Sequence, residues 1–139
     1  MRYVCDAPEG KTWFRLESEA EAEAESSQMR HAVEKYFRRE QERAAQSFRP
    51  KSTVFFEQEI GLRDHVQREM PLFLTLRDGD GVPLATAMVP PGGREDRSFR
   101  SIIVGPANAD PYPLHGSAIR VLAEHFGIAL DRARCYPYR

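Results

Sequence analysis

Polar side chains able to do chemistry are densest between Gly105 and Ser117. Asn108, Asp110, Tyr112, His115 and Ser117 follow one another there, with Arg100 just upstream and prolines at 106, 111 and 113. An amphipathic run begins where this segment ends. A loop feeding a helix N-terminus offers unpaired backbone N–H groups and the positive end of the helix dipole, which suits an anion or a polar ligand. The spacing fits neither a glycine-rich phosphate loop nor a nucleophile elbow. The segment is therefore a candidate binding loop, set against the plainer reading of a proline-stiffened connection in which Ser117 or a neighbour caps the next helix.

Other reactive residues point to structure more than to chemistry. Asp78 and Asp80 sit in Asp78-Gly79-Asp80-Gly81, which resembles the start of a calcium loop but lacks its length and its terminal glutamate. Asp-Gly pairs supply the positive-φ residues of a hairpin turn, and that reading is preferred. His31, His65 and His125 lie in charged stretches or near a helix end, and no two histidines have ligand spacing on a helix. Cys5 and Cys135, near opposite ends of the chain, are expected as thiols in a reducing compartment, with a terminus-to-terminus bridge as the alternative. We assign no catalytic residue, no metal site and no cofactor from the sequence, which favours a non-enzymatic role.

A second group of candidates is defined by charge. Glu19, Glu21, Glu23 and Glu25 crowd the start of a long segment, and Arg30, Lys35, Arg38, Arg39 and Arg43 populate the rest. Ser18 with Glu21 three residues later is a capping-box start. No Gly or Pro intervenes from Glu19 to Phe48, so the spacing predicts one helix of about 30 residues, roughly 45 Å long. A rod of that length overhangs a domain whose radius of gyration should be about 14 Å. Its basic half, 30–43, has net charge +2 (five basic minus three acidic residues), which is weak for nucleic acid. Glu19, Glu21, Glu23, Glu25, Arg38 and Arg39 are therefore candidates for contact with a protein partner or a second copy.

The elements that must position these groups follow from periodicity. A hairpin is expected over 2–6 and 12–17. After the long helix, Val54, Phe56, Ile60 and Leu62 alternate and predict a strand to about Ile60. Strands are expected over 70–77, 84–89 and 99–104, then a helix over 114–126 stopped by Gly127. Hairpins dominate and strand–helix alternation is absent. The expected fold is α+β: a mainly antiparallel sheet of five or six strands with one long helix, a shorter C-terminal helix and the helices on one face, a curved sheet wrapped on the long helix being one candidate.

With 139 residues, 41% apolar and 29% charged, the chain suits one soluble domain. Net charge of −1 removes global basicity as an argument for nucleic acid, and no apolar run is long enough for a membrane span or a secretion signal. The combined expectation is a small cytoplasmic interaction or adaptor domain working through the long helix, with a homodimer as one form it could take. A ligand site or enzyme near 105–117 is the first alternative, and nucleic-acid binding through the basic half of the long helix is the second.

Overall fold

The structure is a computed structural model and describes residues 1–138. Strands β1 (Arg2–Ala7), β2 (Lys11–Arg15), β3 (Leu72–Arg77), β4 (Pro83–Val89) and β5 (Ile102–Val104) form one antiparallel sheet in the order β1-β2-β3-β4-β5. Helices α1 (Glu19–Met29), α2 (Val33–Gln46) and α3 (Phe55–Glu69) intervene between β2 and β3, and α4 (Tyr112–Phe126) follows β5. The α+β class and the antiparallel sheet are as expected.

The helices cover both faces of the sheet, not one. Strand geometry sends alternate side chains to opposite faces. Leu72, Leu74 and Leu76 of β3 join Trp13, Ala85, Ala87, Val89 and Ile103 under Ala118, Ile119 and Leu122 of α4. The register sets Leu74 beside Ala87 and Leu76 beside Ala85, so small residues on β4 leave room for the helix. Trp13 is fully buried and donates its indole N–H to the Ala118 carbonyl at 2.9 Å. On the other face Phe73 and Met88 pack with Leu16, Ala22, Phe37, Ala44 and Met70 under α1 and α2. Thr75 and Thr86, which lie between these apolar positions, are buried too.

The expected 30-residue helix is two helices. Ser18 does cap its start, accepting from the Glu21 N–H at 3.2 Å, while Glu21 reaches back to the Glu17 N–H at 2.8 Å. At Arg30, however, the backbone turns left-handed (φ 57°, ψ 51°), and α2 begins three residues later. Ser26 pins the break: its hydroxyl donates to the Glu34 carboxylate and accepts from the Glu34 N–H. Local propensity allows a continuous rod, but a rod could lay only one half on the sheet. The break folds both halves onto it and brings the acidic half against the basic half, with Arg38 2.6 Å from Glu19 and 3.8 Å from Glu23.

The predicted strand near residues 53–62 is instead the first half of α3. Its apolar alternation is real but does not mark a buried strand face, since Val54, Phe55, Phe56 and Ile60 are all exposed. Asp78-Gly79-Asp80-Gly81 is the expected hairpin turn, with the Asp78 carboxylate accepting from the Asp80 and Val82 N–H groups, each at 2.9 Å. Gly127 ends α4 in a left-handed conformation (φ 71°), and buried Ile128 follows it into the core. One glycine is required by packing: a Cβ at Gly93 would fall 2.2 Å from the Phe126 ring.

Candidate functional site

The break between α1 and α2 leaves a cavity of about 280 Å³ against the outer part of the sheet. Val33, Tyr36, Phe73, Met88, Ile102 and Val104 give it apolar walls, and His31, Thr86 and Asn108 supply polar groups. Tyr136 closes one side: its N–H donates to the Ser101 carbonyl at 2.8 Å and its carbonyl accepts from the Ile103 N–H at 3.3 Å, which fixes it on β5.

A chain of hydrogen bonds runs inward from this cavity. The Thr86 hydroxyl donates to Glu25 Oε2 at 2.6 Å, and His31 Nε2 lies 2.8 Å from the same hydroxyl oxygen. A hydroxyl has one proton, and Thr86 gives it to the carboxylate. Toward His31 it is therefore an acceptor, and the imidazole proton sits on Nε2. The Nδ1 lone pair of His31 faces the Val33 N–H at 3.4 Å, in the first turn of α2. Burial holds the His31 pKa below its ordinary value, more strongly than Glu25 and Glu34 pull it up. The imidazole is thus neutral and both its nitrogens are used.

Behind Thr86, fully buried Glu25 receives Arg77 at 2.8 Å through its second oxygen. Removing a carboxylate from water costs several kcal/mol, and here a guanidinium and a hydroxyl offset that cost. The network ties α1 to β3 and β4 and fixes the floor of the cavity. Two residues beside the wall carry backbone strain: Arg30 precedes lining His31 at φ 57°, and Ala107 precedes lining Asn108 at φ 56°. Left-handed geometry costs a non-glycine residue on the order of 1 kcal/mol or more and persists only where surrounding structure imposes it, which is common at binding sites. Exposed Asn108 and half-buried Tyr36 line this space, and their side chains make no hydrogen bond among the described residues.

Of the six candidates in and near the 105–117 segment, only Asn108 lines the cavity. Asp110 accepts from the Tyr112 N–H at 3.0 Å and from Arg132 at 2.9 Å, so it ties the first residue of α4 to the C-terminal turn. Tyr112 donates its hydroxyl to the Leu130 carbonyl at 2.6 Å, and burial pushes its phenol pKa far up. His115 meets Lys11 at 3.1 Å, and its pKa is lowered by burial and then by that lysine. Ser117 is exposed within α4 and caps nothing, because the helix begins at Tyr112. Arg100 stacks on the Tyr136 ring, 5.4 Å from its centroid, at the cavity's edge.

The charged candidates are engaged within the chain. Glu19 and Glu23 meet Arg38, Glu21 binds the amino terminus of Met1, and Glu25 lies in the buried network. Arg39 reaches Glu40 at 3.4 Å and covers the Tyr36 ring at 4.8 Å. Sequence reasoning missed His31, Thr86 and the Glu25–Arg77 pair. Glu25 is one of a run of glutamates and nothing local sets it apart. Only the Ser26-Ser27 pair beside it hinted that the helix could break there. Cys5 and Cys135 are not bridged. Among the described residues, no group of three His, Cys, Asp or Glu residues could hold a metal ion, and no helix is long and apolar enough to cross a membrane.

Compared with known proteins, the chain matches no family model, no curated protein and no solved structure.

Proposed function

We propose that this chain is a small-molecule-binding domain whose site is the cavity at the α1–α2 break. The carrying observation is an apolar space floored by a fixed hydrogen-bond chain and lined by Asn108 and Tyr36, whose side chains make no hydrogen bond among the described residues. Binding sites combine apolar walls with a few placed polar groups, at volumes of roughly 300–1,000 Å³. At about 280 Å³ the space suits a compact ligand with an apolar body and one hydrogen-bonding head. Because both His31 nitrogens are engaged, the arrangement supports recognition better than proton transfer. The two unbridged thiols fit a reducing, cytoplasmic setting.

The test is a fragment screen by protein-observed NMR, using small aromatic acids and amides. Shifts should cluster at Ala32, Tyr36, Thr86, Val104 and Asn108, and should vanish in Val104→Phe, which fills the space. Absence of any hit, or hits that persist in Val104→Phe, would end this reading.

A second reading, the non-enzymatic interaction domain, is favoured by a different surface from the one expected. The long charged helix is folded on itself, but α3 buries none of its residues and exposes Val54, Phe55, Phe56 and Ile60. Soluble monomers seldom leave such a cluster without use. Nucleic-acid binding gains no such support, because Arg38, Arg39 and Arg43 are each paired with glutamates.

A further inference from the structure

Helix α3 carries both a knob and a hole. The knob is Phe55 and Phe56 at its N-terminal end, 73% and 67% exposed. The hole is a groove of about 520 Å³ between α3, α2 and the end of β2, with Leu16, Phe37, Ala45, Leu62, Val66 and Met70 among its walls. Arg15 also lines it, and the Arg15 Nε is buried with no hydrogen-bond partner among the described residues. Knob and hole lie about two turns apart on one helix, so a single chain cannot seat its own knob.

We propose that α3 pairs antiparallel with α3 of a second copy of this chain, each copy placing its Phe55–Phe56 end in the groove of the other. The inference rests on the interaction reading and is independent of the ligand site. An antiparallel pair is isologous: if residue i meets residue j of the second copy, j meets i in return. With the pair centred on Gly61, Phe55 and Phe56 come opposite Gln67 and Val66 of the second copy, at the groove. The same register sets Glu59 opposite Arg63, twice over. Glu59 and Arg63 both line the groove and make no ion pair within their own chain. A parallel pair would set Glu59 against Glu59 and Arg63 against Arg63, whereas Asp64 and the Arg68–Glu69 ion pair leave the late half of α3 with no net charge, so the case for reversal rests on Glu59 and Arg63.

Size argues for a modest complex. Aromatic side chains bury roughly 150–250 Å² each, so two per copy, with Val54 and Ile60, approach the low end of standard interfaces at ~600 Å² per partner. The dimer should therefore form at high micromolar protein and dissociate on dilution.

Sedimentation velocity of the full chain across a dilution series tests this, with circular dichroism confirming that each variant is folded. Phe55→Ser with Phe56→Ser should weaken dimerisation at least tenfold. Glu59→Arg alone should weaken it, and Glu59→Arg combined with Arg63→Glu should restore it. A chain that stays monomeric at every concentration overturns the proposal. A dimer insensitive to the phenylalanine substitutions also overturns it, while leaving self-association through another surface standing. Loss in Glu59→Arg without recovery in the double variant overturns the antiparallel register.

Discussion

On one side of the sheet a single helix, α4, is held by Trp13, three leucines of β3, Ile103 and its own Ile119 and Leu122, with a contiguous apolar core beneath it. On the other side α1 and α2 share a smaller core built around Phe37, Phe73 and Met88, and beside it lies a buried glutamate bonded to an arginine and a threonine. Apolar packing is non-directional and fills interiors to near crystal density. Hydrogen-bonded groups hold helices at fixed distances, and the apolar shapes around them need not fill the remainder. The cavity and the groove lie on the side of α1, α2 and α3, while a hollow of about 390 Å³ against α4 has Ile119, Ala123 and Leu130 among its walls.

The contrast can be broken at its strongest point. Glu25→Ala strands Arg77 and Thr86 in the interior and should cost ~3–5 kcal/mol, as breaking a buried ion pair does. Leu122→Ala on the α4 side should cost ~2–5 kcal/mol through a cavity alone. Urea denaturation measures both. What separates the faces is the rescue: Glu25→Met with Arg77→Met should recover most of the loss, because apolar replacement of a whole pair is often neutral. Recovery in neither pair member nor double variant would mean that the network also shapes α1 in ways its hydrogen bonds do not capture.

A smaller effect comes with pH. The folded His31 pKa is lowered from 6.5 by burial, so as the pH falls the unfolded chain takes up the proton first. Stability is complete above about pH 6.5 and is lost as the pH drops from there through the lower folded value. His31→Asn should flatten that part of the stability curve. His115, lowered on the opposite face by burial and Lys11, gives the same sign, so His115→Asn is the matched comparison. If only His115→Asn flattens the curve, the neutral tautomer assigned to His31 is wrong. The smallest effect belongs to Arg38→Ala, an exposed partner of Glu19 and Glu23. Its loss should be slight and should disappear near 1 M salt, where screening acts over about 3 Å.

The sheet was legible because alternation and Asp-Gly turns are local signals, and β3 and β4 carry both. Gly127 and Ile128 marked the end of α4 for the same reason. The second helix-covered face was hidden by Thr75 and Thr86, which look like solvent-facing positions and are buried. The helix break was hidden because nothing at Arg30 disfavours helix; the sheet beneath and the Ser26–Glu34 contacts impose it. The strand forecast near Val54–Leu62 failed because a helix whose apolar residues point outward has no reason to follow helical period. For the site, composition drew attention to 105–117, where five polar residues are close in sequence. Only Asn108 belongs to the cavity, since its other groups come from the α1–α2 break, α2, β3, β4, β5 and the C-terminal turn, which only the fold brings together.

The pairing of β2 with β3 has a consequence for how the chain reaches this state. Tight turns join β1 to β2 and β3 to β4, and a loop over 90–101 joins β4 to β5, but Arg15 meets Leu74 across three intervening helices. Closing so long a loop costs chain entropy before any contact repays it. The β3–β4 hairpin with α4 should consolidate early, and the β1–β2 hairpin should dock last. Pulse-labelling hydrogen exchange during refolding should accordingly protect Leu74 and Thr86 amides before those of Thr12 and Phe14. The hairpin that carries the chain's single tryptophan would then report, through Trp13 fluorescence, on the final step of assembly.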